Sequence, residues 1–497
     1  MFLAFLGRSN LWPSLARLPM RTKEGFLMTS LSTSPTAGKN RFSVLADSFL
    51  HEPGLPFASV LDGETIQRVF QEEEGLFGQE DLFSTQLVLW AFLAQTLRDG
   101  KGVACAAAVA DIATYLLQTG QRPPSGDTGD YCRARAKLKL TALQRLVREV
   151  SGQLEDRAAA AWLWKGLHAK LVDGFTFTMP DTPENQAAYP QPRVQRPGVG
   201  FPLARACVVL SLATAAVCDL AVGPYEGKQT GETALLRQML ATFAVGDVVV
   251  FDRYFCSFPM LALLSQKGVE VCVRQSQGRR SDFRRGRRLG PDDHLVTWTR
   301  PQRRPWMTRE QYAQIPKTLT LREVRFHVQV PGCRVETLTV ITTLTDPQKY
   351  SRQDIADLFG FRWNVELDIR QIKQTLHLDH VRCKTPEMVR RELWVTLLAY
   401  NLIRKVIATA AAVHRKQPRQ LGFTQACQSL LASWMLLAAG ACRDVRALST
   451  ALLAHIAARE VANRPGRIEP RVLKRRRQGY PFMLRPRAQL QAELGKT

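Results

Sequence analysis

Acidic residues are in short supply. Forty-four Asp and Glu stand against 68 Lys and Arg in 497 residues, a formal net charge of +24. An excess of that size favours a polyanionic partner, because Lys and Arg displace the counterions condensed on phosphates. An anionic membrane surface would satisfy the same charge. Cysteine is sparse as well: ten residues are scattered from Cys105 to Cys442, with no C-x-x-C pair and no His at zinc-finger spacing. A zinc-finger module is thereby excluded, and a chain this long needs no disulfide staples, which points to reduced thiols. The eight histidines form no H-x-x-x-H or H-E-x-x-H pattern, and no G-x-x-x-x-G-K-[ST] occurs, so neither a histidine zinc site nor P-loop ATP chemistry is indicated. Long apolar runs are missing too. The cleanest, Leu430 to Cys442, is too short to span a bilayer, and Trp394 to Val413 is interrupted by Asn401, Arg404 and Lys405. The opening MFLAFLGRSNLW faintly resembles a signal peptide, but it lacks a basic n-region and its apolar stretch stops at Arg8. Residues 1–39, rich in Ser, Thr and Pro, read as a disordered leader or a misassigned start, with Met20 and Met28 as other beginnings.

What is present falls into distinct textures. Residues 40–156 are helical in pattern, with an apolar stripe of Leu87, Leu89, Trp90, Phe92 and Leu93. After the loop RPPSGDTGD, the run YCRARAKLKL gathers Arg133, Arg135, Lys137 and Lys139 on a helix that Ser125 or Asp127 can cap. This suits a small helical DNA-binding domain, and a solvated basic helix face explains the charges equally well. Residues 157–274 alternate short strands and helices: LVDGFTFTM, ARACVVLSLATA and AAVCDLAVG, then the helix GETALLRQMLATFA, the strand GDVVVFD, the helix SFPMLALLSQKG and the strand VEVCVR. That succession makes an α/β core. Residues 275–347 carry a dense arginine run and then the β signals VRFHVQV and ETLTVITTLT, a β-rich insertion with a basic, Trp-bearing rim. From 348 onward the pattern is helical again, with a basic tail whose run KRRRQGYPFMLRPR suits either DNA or solvent.

Three acids stand where chemistry would place them. Asp173 lies inside the first core strand, where a charge needs a partner or a task. Asp252 ends the strand GDVVVFD, at the carboxyl edge where open α/β sheets collect ligands. Glu366 lies on LFGFRWNVELDIRQIKQTL, read as one helix. Carboxylates from two strands and a helix can converge on hard divalent cations, which want oxygen ligands and can drive in-line displacement at phosphorus. On a regular helix at ~100° per residue, Phe359, Arg362, Glu366 and Lys373 fall within roughly 60° of one another. That face would present a ring, a guanidinium, a carboxylate and an ammonium, with Asp368 pointing away. An ordinary charged helix with a Glu366–Arg370 pair is the plain alternative.

The run F-x-x-R-x-x-x-E-x-x-x-x-x-x-K resembles the Y-R-E-K signature of bacterial insertion-sequence transposases of the insertion-sequence-four family. VDGFTFTMPDTPEN, GDVVVFDRYFCS, TTLTDPQKYSRQDIADLFGFRW and SGDTGDYCRARAKL are similar to that family as well, and the resemblance runs from about Phe83 to Arg404. It implies an α/β fold with a ribonuclease H-like core, a DDE triad, and a β-rich insertion between the second Asp and the Glu. It implies metal ligation by Asp173, Asp252 and Glu366, with two Mg²⁺ ions (Mn²⁺ as substitute), and phosphate contact by Arg362 and Lys373. Phe359 stands at the signature's tyrosine position, keeping the ring and losing the hydroxyl. In that family a tryptophan of the insertion can stack on a flipped base; Trp298 and Trp306 are the candidates here, against the plainer reading of each as an anchor of the insertion's core.

The expectation is therefore a helical DNA-binding domain (40–156), a core in two parts (157–274 and 348–385) split by the insertion (275–347), and a helical C-terminal region (386–497). Such an enzyme would act in the cytoplasm, associated with the nucleoid through DNA and not with a membrane. It would cut at terminal inverted repeats and join the 3′-hydroxyl to target DNA, by way of a hairpin stage as the resemblance implies, and cutting two ends in register suggests a homodimeric synaptic complex. Two rivals remain at this point: a decayed transposase that binds DNA without cutting it, with Phe359 as its argument, and a carboxylate glycosidase, which leaves the basic charge unexplained.

Overall fold

The computed structural model describes residues 61, 63–78, 82–98, 100–118, 122–328, 336–438, 444–461 and 483–494. The leader and most of the basic tail lie outside them. Five helices open the described chain: α1 (Gly63–Glu72), α2 (Thr85–Thr96), α3 (Cys105–Gln118), α4 (Gly129–Lys137) and α5 (Leu140–Asp156). Ser84 caps α2 by accepting from the Leu87 amide. Asp127 accepts from the Gly129 amide at 3.1 Å at the start of α4. Strand β1 (His168–Thr178) and helix α6 (Pro183–Ala188) follow, then β2 (Leu203–Ser211), β3 (Val217–Pro224), α7 (Glu232–Gln238), β4 (Asp247–Phe251), α8 (Phe258–Gln266) and β5 (Glu270–Arg274). Next come β6 (Arg287–Gly290), β7 (Asp293–Thr299), α9 (Arg309–Gln314), β8 (Thr318–Val328) and β9 (Glu336–Thr342). The rest is helical: α10 (Arg352–Gly360), α11 (Trp363–Arg370), α12 (Pro386–Val413), α13 (Phe423–Ala438), α14 (Val445–Ala457) and α15 (Arg487–Leu494).

All nine strands form one sheet, in the order β3-β2-β1-β4-β5-β9-β8-β7-β6. β1 and β2, and β2 and β3, are antiparallel, whereas β4 runs parallel to both β1 and β5. The strands of 287–342 are therefore not a separate layer. They extend the same sheet through the antiparallel β5–β9 pair. Side chains alternate between the two faces of a strand, and the buried ones sort accordingly. Leu171, Phe175, Val248 and Val250 join α2, α5 and α12 in one core. Val172, Val249 and Phe251 join α7, α8, Trp298 and Leu321 in another.

Helix α12 is long and apolar enough to cross a bilayer, but 89% of its most apolar stretch is buried inside the protein. Its polar interruptions explain why. Asn401 donates to the Val217 and Val147 carbonyls (2.9 and 3.3 Å) and accepts from the Val217 amide (2.8 Å), joining β3 to α5. Such buried polar groups need partners that lipid cannot offer. None of the eight described cysteines is in a disulfide.

Candidate active site

Pairing between β1 and β4 ends at Val172 and Phe251. From Asp173 onward β1 has no strand beside it on that edge, and Asp252 follows directly on the last residue of β4. A crevice therefore opens where parallel strands stop, the position at which open α/β sheets bind ligands. Alternation turns the Asp173 side chain to the face on which α11 packs, and α11 carries Glu366. The guanidinium of Arg362 spans the two acids: Nη1 lies 3.6 Å from Asp173 Oδ2, and Nη2 donates to Glu366 Oε1 at 2.8 Å. Burial pushes the Asp173 carboxyl up to about 6. The Gly174 amide (2.8 Å) and Arg362 pull it down, while the charges of Glu232 and Glu366 push it up. Beyond Asp252 lies an open depression of about 460 Å³ lined by Arg253, Tyr254, Cys256, Ser276 and Gln277.

The carboxylates are an all-oxygen donor set, the kind that hard divalent cations require. A single cationic group already lies between Asp173 and Glu366, so the space between them accepts positive charge. Among the described residues, no three His, Cys, Asp or Glu side chains stand close enough to enclose a metal ion as they are.

The segment carrying Glu366 corrects the expectation of one regular helix. Between α10 and α11 the backbone tightens into i→i−3 bonds, Arg362 to Phe359 (3.0 Å) and Val365 to Arg362 (3.1 Å). After Arg370 it loosens into a π segment, Gln371–Thr375. A tightened turn and a wide one each change the angular step, yet Arg362 and Glu366 stay bonded to each other beside Asp173 of β1, and Lys373 reaches the same strand. Phe359 is 7% exposed and belongs to the core. Lys373 Nζ donates to the Thr176 carbonyl of β1 at 3.0 Å. Asp368 does turn away, into a buried cluster with Arg404 (3.2 Å) and Arg419 (2.8 Å).

A family model described as "Transposase DDE domain" matches residues 164–402, which includes Asp173, Asp252 and Glu366. The chain is 26% identical over 437 residues to the transposase InsG for insertion sequence element IS4 of Escherichia coli (strain K12), covering 87% of this chain and 94% of that protein. It is 29% identical over 140 residues to the putative transposase InsZ of the same organism, 27% of this chain and 45% of that one. The chain belongs to the DDE-domain transposases. Among solved structures, a piggyBac transposase synaptic complex with hairpin DNA aligns with a TM-score of 0.38 and 9% identity over 83% of this chain and 85% of that one.

The transposase's remaining expected contacts sort by exposure. Trp298 is 3% exposed; its indole N–H donates to Glu323 (3.1 Å), and Arg279 lies 3.4 Å over its ring. It is an anchor of the core, not a ring free to stack on a base. Trp306 is covered by Arg237 at 4.0 Å. On α4, Arg133 is exposed and paired with Asp130, and Lys137 is exposed beside Phe77. Arg135 departs from the expectation. It turns inward over Phe92 (4.6 Å) and donates to Gln95 (3.2 Å).

Two groups escaped the sequence reading. Tyr254, beside Asp252, is 76% exposed and lines the depression. Glu232 on α7 adds a fourth carboxylate near Asp173 and Asp252. The helix pattern of GETALLRQMLATFA singled out its apolar residues and gave no reason to single out its acid.

Proposed function

We propose that this transposase cuts the phosphodiester bonds at the terminal inverted repeats of its own mobile element and joins the freed 3′-hydroxyl to target DNA. Asp173, Asp252 and Glu366 hold divalent cations, Mg²⁺ or Mn²⁺ in its place, two per site. The observation that carries this reading is the gathering of a mid-strand Asp, a strand-end Asp and a helix Glu at one crevice, with a cation already between two of them. Bound divalent cations supply the Lewis acidity that activates an attacking oxygen and steadies the departing one. The chain's own residues orient the DNA. Arg362, released from the carboxylates, faces the phosphates flanking the cut, as a fork suited to bidentate grip. Lys373 braces the helix segment against β1 beside the site. Arg133 and Lys137 hold the repeat DNA from the helical N-terminal part, the sequence-independent share of binding.

The strand order β3-β2-β1-β4-β5, antiparallel on one side of β1 and parallel on the other, supports a ribonuclease H-like core in residues 157–274 and 348–385. Cutting two ends in register calls for a homodimer, working on DNA in the cytoplasm. The test is cleavage of a labelled duplex carrying the element's ends in Mg²⁺ or Mn²⁺, beside Glu366→Ala. Metal-dependent nicking at the end, lost in the variant, is expected. Tight end binding without cleavage by either protein would reduce the chain to a DNA-binding relic.

A further inference from the structure

Three carboxylates are the family's complement, and the fold brings in another. Glu232 opens α7, immediately after Gly231. Alternation along β1 places Gly174 on the face opposite Asp173, the face on which α7 packs. The place of its missing side chain is taken by Glu232: a Cβ at 174 would stand 2.3 Å from Glu232 Cδ and Oε1 and 2.5 Å from Cγ. Gly174 is not among the glycines with positive φ, so its backbone alone does not call for glycine. Its smallness admits a carboxylate into the sheet beside Asp173.

The crevice makes this approach possible. Because β4 ends at Phe251, it is open to both faces of the sheet, and Glu366 arrives from one while Glu232 arrives from the other. Glu232 is near enough to Asp173 and Asp252 for their charges to be felt mutually. Among the described residues no hydrogen bond or salt bridge is made to its carboxylate. Arg205, the cation whose field reaches it, is stacked over Tyr225 at 4.7 Å. A half-buried carboxylate that feels two others, with only an engaged guanidinium to offset them, is unfavourable unless further positive charge joins it. A favourable helix-end charge would explain an Asp or Glu at this position, but it would not explain the glycine across from it.

We propose that Glu232 is a fourth carboxylate of the site, a ligand of a divalent cation held with Asp173 and Asp252; this rests on the metal-site reading above. The experiment is Mn²⁺ titration by calorimetry of the full-length protein without DNA, for wild type, Glu232→Gln, Gly174→Ala and Asp173→Asn. Melting in EDTA serves as the check on folding. Glu232→Gln is expected to weaken Mn²⁺ binding by at least about tenfold, as losses among metal-supporting residues do, with its melting temperature in EDTA not lowered. Gly174→Ala, whose new methyl displaces the same carboxylate, is expected to do likewise, and it decides the matter if Glu232→Gln does not fold. Wild-type Mn²⁺ affinity in both variants, with affinity lost in Asp173→Asn, would overturn the proposal and leave a three-acid site. Unchanged binding in Asp173→Asn as well would overturn the metal reading beneath it. A lowered melting temperature in EDTA with Mn²⁺ affinity intact would make Glu232 a helix-end charge only.

Discussion

At the scale of single residues, burial separates side chains that composition treats alike. Trp298 and Arg135 belong to groups expected to meet DNA, and both face inward. Truncating a buried aromatic removes its contacts and leaves a cavity, so Trp298→Ala should cost about 3–5 kcal/mol. Among the described residues, the Glu323 carboxylate would keep His294 at 3.2 Å as its one side-chain hydrogen-bond partner. Urea unfolding measures the loss, and end binding per folded molecule should stay at the wild-type level. A small stability change with end binding abolished would restore the base-stacking role. The arginines of α4 give a paired test. Arg133→Ala should reduce the steepness of log K against log salt by about 0.9, the share of one phosphate contact. Arg135→Ala should leave that slope alone and lower stability instead, because its guanidinium packs on Phe92 and bonds Gln95.

At the scale of elements, the strands were legible and the helix breaks were not. VDGFTFTM and GDVVVF read as strands because period-two alternation and runs of β-branched residues are local properties, and β1 and β4 lie where that pattern puts them. Asp252 at a strand end and Glu366 on a helix followed from the same reading. The tightened turn at Arg362 and the π segment after Arg370 are tertiary in origin. Asp368, 2% exposed, is bound by Arg404 from α12 and by Arg419, which also donates to the Ser211 carbonyl at 2.8 Å at the end of β2. That ionic knot pins α11 from the side opposite Glu366. Glu232 was illegible for the same reason, since only the packing of α7 on the sheet brings it to Gly174. Asp368→Asn keeps the shape and removes the charge, leaving two arginines at a buried site without their counter-ion, a change on the order of 3–5 kcal/mol. Denaturant titration checks that figure. Cleavage under folding conditions should fall by more than end binding does, since the knot holds the Glu366 helix and not the α4 surface; equal losses would make Asp368 a stability residue alone.

At the scale of the whole molecule, the helical N-terminal part and the sheet share one core, which runs from Leu61 through α5 and β1 to Ile456. A buried ionic latch adds to that join at the amino end of β1, away from Asp173. Glu155 at the end of α5 meets Lys170 in a short ion pair and His168 Nδ1 at 3.3 Å, with Asp247 4.0 Å from Lys170. Burial alone would raise the Glu155 carboxyl, but bonds from His168 and Lys170 prevail and hold it down to about 2, against 4.5 for the free group. Its contribution to stability is therefore present above about 4.5 and is lost as pH falls toward 2, because the unfolded chain takes up the proton first. His168 moves the other way. Its bond to Glu155 raises it from 6.5, so its contribution is complete below that value and fades as pH rises through the folded one. The latch should thus make the protein most stable between these limits, with a fall toward acid and a smaller one toward base. Glu155→Gln should flatten both arms together, since it removes the partner on which each depends, and should lower stability throughout by leaving buried Lys170 with Asp247 at 4.0 Å as its remaining carboxylate among the described residues. Urea midpoints collected from about pH 3 to about pH 9 test this. An acid arm of wild-type steepness in Glu155→Gln would show that other carboxylates set the acid limit.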